Sequence, residues 1–281
     1  MRHILVLLLV TAIQAGSIAQ IIKGRIIDNK TNQPLEYVSI GIINTTFGVI
    51  TDNDGCFKFE VKGQGPSVIV KISMIGYKPQ NFTINELIEG ENIIKMVEEP
   101  YTITEVEIKP TKERLAGTNG VSRQAGWSGW GGIGKGCEIG TKIELGNNPV
   151  KIKSIHVRLH RQSFDTSFYR LHIRTMRDTE ILDELLTENI IVSITKESGW
   201  ITINLQPYNI IVQGDVAVTL EWLKVNGNNE DRAIKINNRM TDAYVLTKNY
   251  NKNVGIYRWG TEAKWIVNPN KGPCICLTVL E

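Results

Sequence analysis

The feature that most constrains this chain is a succession of short segments in which apolar and polar residues alternate, separated by residues typical of turns. Alternation with a period of two puts the apolar side chains on one face of an extended strand, whereas an amphipathic helix needs a period of about 3.6 residues. No helical period of convincing length follows residue 20. The sequence therefore predicts an all-β protein.

The predicted strands fall into two groups. In the first half of the chain they cover residues 21–28, 36–42, 48–52, 56–61, 67–74, 78–84 and 92–96. In the second half they cover residues 137–145, 150–160, 169–175, 190–194, 200–205, 215–223, 232–237, 243–248, 255–259, 264–267 and 274–280. Regular short strands between turns are typical of β-sandwiches, and for the second group we expect a sandwich of jelly-roll type.

The first 19 residues have the pattern of a signal peptide. Arg2 and His3 precede the apolar run 4–10, and a small-x-small cleavage sequence stands at 17–19. Crossing a bilayer takes about 20 apolar residues, and neither this run nor any later segment is long enough. We therefore expect a soluble, exported protein that begins near Gln20 and is located in the periplasm, on the outer-membrane surface or outside the cell.

Length and charge indicate two domains and no nucleic-acid partner. A chain of 281 residues exceeds the usual size of one domain. The pattern predicts a first domain at 20–97, a linker at 98–124 with Pro100 and Pro110, and a second domain at 125–281. The formal net charge of +3 points to no polyanion as a partner of the whole molecule.

An aspartate-rich segment after residue 50 raises the question of a calcium site. With Gly55 at position 6 of a calcium-binding loop, Asp52 and Asp54 occupy ligand positions 3 and 5. Positions 1 and 12, however, are Ile50 and Val61, which have no ligand atoms. The sequence therefore predicts a hairpin turn between two strands and no metal.

A series of motifs in the first half resembles the carboxypeptidase-regulatory-like domain. The motifs are Gly24-Arg25-Ile26-Ile27-Asp28, Thr31-Asn32-Gln33-Pro34-Leu35, Val38 with Ile40, Gly48, Thr51-Asp52, Gly55-Cys56-Phe57 and Ser73-Met74-Ile75-Gly76-Tyr77. The resemblance covers residues 21–97 and implies a transthyretin-like, seven-stranded β-sandwich of a kind common in secreted and outer-membrane proteins of Bacteroidota. The second half is similar to the C-terminal region of Bacteroidota envelope proteins that also carry this domain, and that similarity implies no chemistry.

The family name does not imply a peptidase in this chain. A zinc carboxypeptidase needs an H-x-x-E pair, and none of the three histidines after the signal, His156, His160 and His172, has glutamate three residues later.

Four cysteines, Cys56, Cys137, Cys274 and Cys276, match no disulfide framework. We expect buried free thiols, with a single bridge from Cys137 to Cys274 or Cys276 as the alternative.

Tryptophans form the first set of candidate binding residues. Trp127 and Trp130 lie in the glycine-rich segment 126–136 and could serve as flat platforms for sugar rings or peptides, as could Trp259 and Trp265. The segment lacks the strand and helix that a phosphate-binding loop requires. In the alternative interpretation, the indoles of Trp127 and Trp130 fold back and seal one end of the sandwich.

Arginines form the second set. If strands 150–160 and 169–175 pair as a hairpin, one face carries Arg158, Arg170 and Arg174 together with the three histidines. Such a face could receive an acidic glycan or a partner's carboxylates, or it could simply be solvated. His156 and His160 would be about 13 Å apart and could not bind one metal ion together. The sequence predicts no metal and no cofactor.

No arrangement of serine, cysteine, histidine or acid matches a catalytic motif. We therefore expect a non-enzymatic, exported envelope protein that acts as a binding or scaffolding module for a glycan or an envelope protein. The alternative is a secreted hydrolase, a glycosidase or a peptidase accessory protein, with its active site in the C-terminal domain.

Overall fold

The computed structural model describes residues 20–61, 63–88, 92–99, 112–120, 126–131, 135–226, 234–236, 239–241, 244–250 and 252–281. For residues 127, 131, 234–236, 239–241 and 244–249, only the backbone is described. The predicted signal peptide and most of the predicted linker lie outside the described residues.

The N-terminal domain is a sandwich of seven strands, as predicted. Its strands are β1 (Gln20–Asp28), β2 (Ser39–Ile42), β3 (Gly48–Ile50), β4 (Cys56–Val61), β5 (Ile69–Ser73), β6 (Gln80–Thr83) and β7 (Asn92–Met96), with a short helix α1 at Ile84–Ile88. One sheet has the order β4-β1-β7 and the other β3-β2-β5-β6. The strands close on a shared core because each presents alternate apolar residues inward, such as Phe57 and Phe59 of β4.

The aspartate-rich segment forms a turn, but it is not a hairpin turn. The carboxylate of Asp52 accepts the backbone N–H groups of Asp54 and Cys56, at 3.0 and 2.8 Å. Gly55 has a φ of 72°, which favours glycine. The flanking strands β3 and β4 belong to different sheets, so the turn carries the chain across the sandwich.

The C-terminal domain is also a β-sandwich. Its strands are β8 (Glu113–Gly117), β9 (Trp127–Gly131), β10 (Cys137–Glu144), β11 (Val150–Gln162), β12 (Thr166–Arg177), β13 (Glu180–Glu184), β14 (Ile191–Ile194), β15 (Gly199–Asn204), β16 (Ile211–Val212), β17 (Asp215–Asn226), β18 (Ile234–Ile236), β19 (Arg239–Thr241), β20 (Tyr244–Tyr250), β21 (Gly255–Trp259), β22 (Ile266–Asn268), β23 (Gly272–Pro273) and β24 (Ile275–Leu280). Each of the eleven predicted strands overlaps one of these. The jelly-roll assignment stays a prediction.

Two large sheets enclose the main core of this domain. The β12 sheet has the order β13-β12-β17-β10-β21-β22, with β14 also beside β12. The β11 sheet has the order β23-β20-β11-β24-β8, with β15 and β16 also beside β11 and β9 beside β20. Apolar residues of both sheets meet between them, among them Ile155 and Val157 of β11 and Leu171 and Ile173 of β12.

Two predictions of organisation were wrong. Strands 150–162 and 166–177 do not form a hairpin, because their apolar faces cover the same core from opposite sides and the strands belong to different sheets. Residues 98–124 are not all linker, because Glu113–Gly117 pairs with β24.

The two domains pack closely against each other. Thr261 donates a hydrogen bond to the carbonyl of Ile40 at 3.0 Å, and the N–H of Asn44 donates to the carbonyl of Glu262 at 2.8 Å. A side chain at Gly41 or Gly48 would collide with Thr261. The N-terminal domain therefore covers the central part of the outward face of the β12 sheet, and residues 216–223 of β17 are all buried.

All four cysteines are free thiols. Cys137, Cys274 and Cys276 are buried, as expected, whereas Cys56 is exposed because it starts β4 on the outward face. Among the described residues, no helix is long and apolar enough to span a membrane.

We expect Gly140→Ala to destabilise the protein by roughly 1–3 kcal/mol, because the added methyl group would overlap the backbone of Val218 and Thr219 on the neighbouring strand. Chemical denaturation measures this cost. Gly65→Ala is the matched control, since its methyl group meets only Val68 at 4.0 Å. Equal stability of the two variants would contradict the close packing of β10 on β17.

Candidate functional site

A cleft of about 480 Å³ lies between the two domains. The N-terminal domain contributes Ser39, Lys71, Ser73, Met74, Ile75, Tyr77 and Pro79, and the C-terminal domain contributes Arg170, His172, Arg174, Leu182, Asp183, Glu184, Glu221, Arg258, Glu262 and Trp265. Most of these side chains are polar or charged. The cleft therefore belongs to both domains and offers hydrogen-bonding groups at high density.

The floor of the cleft is built on a row of four charged residues across four neighbouring strands. Arg170 of β12 lies opposite Glu221 of β17, Glu221 lies opposite Glu138 of β10, and Glu138 lies opposite Arg258 of β21. Two carboxylates directly opposite each other repel. An arginine at each end of the row offsets this repulsion, since Arg170 Nη1 is 3.0 Å from Glu221 Oε2 and Arg258 pairs with Glu138.

His172 and Arg174 add further positive charge to the two carboxylates. His172 lies between two acids, with Nδ1 2.6 Å from Glu184 Oε2 and Nε2 3.0 Å from Glu221 Oε2. Arg174 Nη1 is 2.6 Å from Glu138 Oε2. Alternation along β12 places Arg170, His172 and Arg174 on one face, where all of them reach the acids of the adjacent strands.

These contacts shift the pKa values of the acids and of the histidine in opposite directions. Burial raises the pKa of Glu138, but the attraction of Arg174 and Arg258 outweighs burial and holds this pKa well below its usual range. For Glu184, the attraction of Arg174 outweighs burial and lowers the pKa. For Glu221, the attraction of Arg170 has the same effect.

For His172, burial and Arg174 lower the pKa, but Glu138 and Glu184 raise it more, and the net shift is upward. The imidazolium form can donate a hydrogen bond from each ring nitrogen to a carboxylate.

The N-terminal domain completes this charge network. Ser39 donates to Glu221 Oε1 at 3.0 Å, and Arg170 donates to the Ser39 hydroxyl at 3.2 Å and to the carbonyl of Tyr37. Across the cleft, Glu262 accepts from Lys71 and Ser73, both at 3.3 Å. The same side chains thus pair the buried charges and join the domains.

Trp265 forms an aromatic wall of the cleft. Its ring lies 4.6 Å from the guanidinium carbon of Arg258 and 5.2 Å from that of Arg174. The indole is only partly buried. It therefore shields the two arginines on one side and leaves part of its surface to the cleft.

Three residues of the network have the spacing of a metal site but not its chemistry. Ligand atoms of Glu138, His172 and Glu221 lie within 4.8 Å of one another. Each of these atoms already has protein partners, and three guanidinium groups surround the set. A divalent cation would have to displace arginines and would be repelled by them. The residues present do not fit a metal.

The structure brings Arg170, Arg174 and Trp265 together in the cleft. The interpretation of the arginine face as solvated was wrong for β12, since Arg170, His172 and Arg174 are 2%, 4% and 9% exposed. The N-terminal domain covers this face, so the alternation that usually marks a solvated side marks a domain interface here.

Trp130 is not a platform, because it is 2% exposed and packs on Tyr169 with ring centroids 4.9 Å apart. For this indole, the interpretation that it folds into the sandwich is confirmed. Its glycine-rich segment forms β9, which pairs with β20. The side chain of Trp127 lies outside the described residues.

The remaining candidates lie away from the cleft lining. Trp259 is 43% exposed and stacks on Tyr257 at 6.1 Å. Arg158 belongs to the β11 sheet, where its guanidinium group lies 5.9 Å from the centre of the Trp200 ring.

The acids Glu138, Glu184 and Glu221 were missed in the sequence. The sequence did contain an indication of one buried acid, because Glu221 interrupts the otherwise nearly continuous apolar run 216–223. A charge within such a strand requires a buried partner of opposite sign.

Comparison with known proteins identifies one family. Residues 22–108 match the model of the CarboxypepD_reg-like domain. No curated protein matches the chain.

Two solved structures show distant similarity, each at 9% sequence identity over 92% of this chain. They are the cysteine protease and lectin-like domains of Cwp84, a surface layer associated protein of Clostridium difficile, with a TM-score of 0.36, and the Gx strain of infectious bursal disease virus, with a TM-score of 0.21. The chain spans 63% and 62% of their lengths. Scores this low support no conclusion on fold or function.

The raised pKa of His172 predicts a pH dependence of stability. The folded protein binds this proton more tightly than the unfolded chain, so its stabilising contribution is complete below the unfolded pKa of about 6.5 and is lost as pH rises through the folded pKa. We expect the difference in unfolding free energy between the wild type and His172→Gln to decrease above this pH. Urea denaturation from pH 5.5 to 9 measures it.

His156→Gln is the control for this titration, because burial lowers the pKa of His156 instead. A difference between the wild type and His172→Gln that stays constant with pH would show that His172 does not titrate in the predicted sense.

Proposed function

We propose that this protein, which carries a carboxypeptidase-regulatory-like domain at residues 22–108, is an exported envelope protein that binds a ligand in the cleft between its two domains. The observation that carries the proposal is the cleft itself, a concave polar site of about 480 Å³ to which both domains contribute. Concave sites at domain interfaces are typical of ligand binding. Export is supported by the signal-peptide pattern of residues 1–19.

The balance of charge around the cleft favours an uncharged, polar ligand. Five basic side chains are present when His172 is protonated, Lys71, Arg170, His172, Arg174 and Arg258, and five acidic ones, Glu138, Asp183, Glu184, Glu221 and Glu262. With no net charge, the site has no general preference for an anion or a cation. Fixed donors and acceptors beside the partly exposed ring of Trp265 suit the hydroxyl groups and apolar face of a sugar. We propose a saccharide as the ligand.

The protonation states favour binding over catalysis. A glycosidase needs one carboxylic acid with a raised pKa to protonate the leaving group. Glu138, Glu184 and Glu221 all have lowered pKa values and remain ionised at neutral pH. Their oxygens are also engaged by arginine and histidine, so these acids hold the cations around the cleft in place.

One observation favours a second function, that of a secreted hydrolase with its active site in the C-terminal domain. His172 lies between two carboxylates beside a cleft, and an imidazolium oriented in this way can act as a general acid. Incubating the purified protein with oligosaccharides and peptides separates the two functions. Turnover that is lost in His172→Gln would favour the hydrolase over the binding protein.

We expect neutral oligosaccharides to change the tryptophan fluorescence of the wild-type protein, and Trp265→Ala to weaken this binding about tenfold or more, because the variant lacks the aromatic wall. Trp259→Ala is the matched control, since Trp259 does not line the cleft. No binding of any saccharide, or binding lost in Trp259→Ala instead, would contradict the proposal.

A further inference from the structure

A row of basic side chains follows the outward face of the β11 sheet, away from the cleft. Along β11, apolar residues alternate inward while Lys151, Lys153 and Arg158 point outward and are partly exposed. Arg161, at the end of the strand after a β-bulge, is exposed. From Lys151 to Arg161 the row is at most about 33 Å long at the usual rise of a strand, because two β-bulges lie within it.

The described side chains of β15, β24 and β8 leave this positive charge largely uncompensated. On one side β15 contributes Trp200, Thr202 and Asn204, and on the other β24 contributes Thr278. Among the described side chains of β8, β15 and β24, one acid pairs with a cation of the row. This acid is Glu113, whose carboxylate is 2.6 Å from Lys153 Nζ. The contrast with the cleft is clear, because there every cation has an acidic partner.

The middle of the row combines a cation, an aromatic ring and hydroxyl groups. The guanidinium group of Arg158 lies over Trp200. One register position away, His156 Nδ1 is 3.0 Å from the Thr202 hydroxyl and Nε2 is 2.7 Å from the Thr278 hydroxyl. Burial lowers the pKa of His156, so this residue orients the threonine hydroxyls without adding charge at neutral pH.

We propose that the outward face of β11 binds a linear acidic polysaccharide, with carboxylates of successive sugars along the row from Lys151 to Arg161. A row of cations along one strand, interrupted by β-bulges at Ile152/Ser154 and Leu159/Arg161, matches the repeated charges of a linear polymer. The ring of Trp200 and the hydroxyls beside His156 match the polar and apolar parts of sugar units. This surface is separate from the interdomain cleft and does not depend on the ligand proposed there.

Other polyanions fit the row less well. Single-stranded nucleic acid is held by several aromatic rings that stack on successive bases, whereas the described part of this face offers one such ring, Trp200. Binding to an anionic bilayer is favoured by apolar side chains that insert between the lipids. Among the described residues of β8, β11, β15 and β24, one large apolar side chain on this face is well exposed, that of Leu115.

The test is a binding titration of the full chain with polygalacturonate oligomers of increasing length, at low and at high salt. We expect affinity to rise with oligomer length until the oligomer spans about 33 Å and to fall with added salt. Arg158→Ala should weaken binding about tenfold, and Lys151→Ala should weaken it less because this lysine lies at one end of the row. The melting temperature of each variant shows whether it has folded.

Two controls separate this site from general charge effects and from the cleft. Lys58→Ala removes an exposed lysine from the N-terminal domain and should leave binding unchanged, as should Trp265→Ala. Fully methyl-esterified polygalacturonate, which is uncharged, should not bind to the row. Equal binding of the esterified polymer, unchanged affinity in Arg158→Ala, or no binding of polygalacturonate at low salt would each overturn the proposal. Binding of single-stranded DNA or of anionic vesicles with no binding of polygalacturonate would also overturn it.

Discussion

The pairing of Glu138 and Glu221 with three arginines and a histidine is the interaction on which the centre of this molecule depends. Two buried carboxylates on adjacent strands would destabilise the sheet if they were left unpaired. Arg170, Arg174 and Arg258 surround them, and His172 bridges Glu221 to Glu184. Each strand of the β12 sheet must therefore take one register, because a slip by one residue would move a charge into the apolar core.

The same charges explain why the two domains form one unit. The β12 sheet has an apolar face toward its own core and a charged face toward the N-terminal domain. Arg170 pairs with Glu221 and also donates to Ser39 and to the carbonyl of Tyr37. The N-terminal domain thus supplies acceptors that an arginine at this depth needs. The contacts that pair the buried charges are therefore also contacts that join the domains. The cleft is the space between the domains that these contacts do not fill.

The sequence predicted the strands well and the role of the charged face poorly, for the same physical reason. Alternation shows that one face of a strand is buried, and this located all seven N-terminal strands and overlapped a strand at each of the eleven C-terminal positions. It does not show what covers the other face. Arg170, His172 and Arg174 have the same spacing whether they face water or a second domain. Only the sheet register shows that Glu221 and Glu138 lie beside them.

The two charged faces of the C-terminal domain differ in pairing rather than in residue type. On the β12 sheet, arginines and acids from adjacent strands neutralise each other, so the buried face gains specificity of packing and a polar cleft without a net field. On the β11 sheet, Lys151 and Arg158 have neutral neighbours on β24 and β15, so their field extends into solvent. A surface of the first kind selects a ligand by the geometry of its hydrogen bonds, and one of the second kind selects it by charge. The outward faces of the two sheets therefore differ in chemistry, because the sheets bury different fractions of their outward charges.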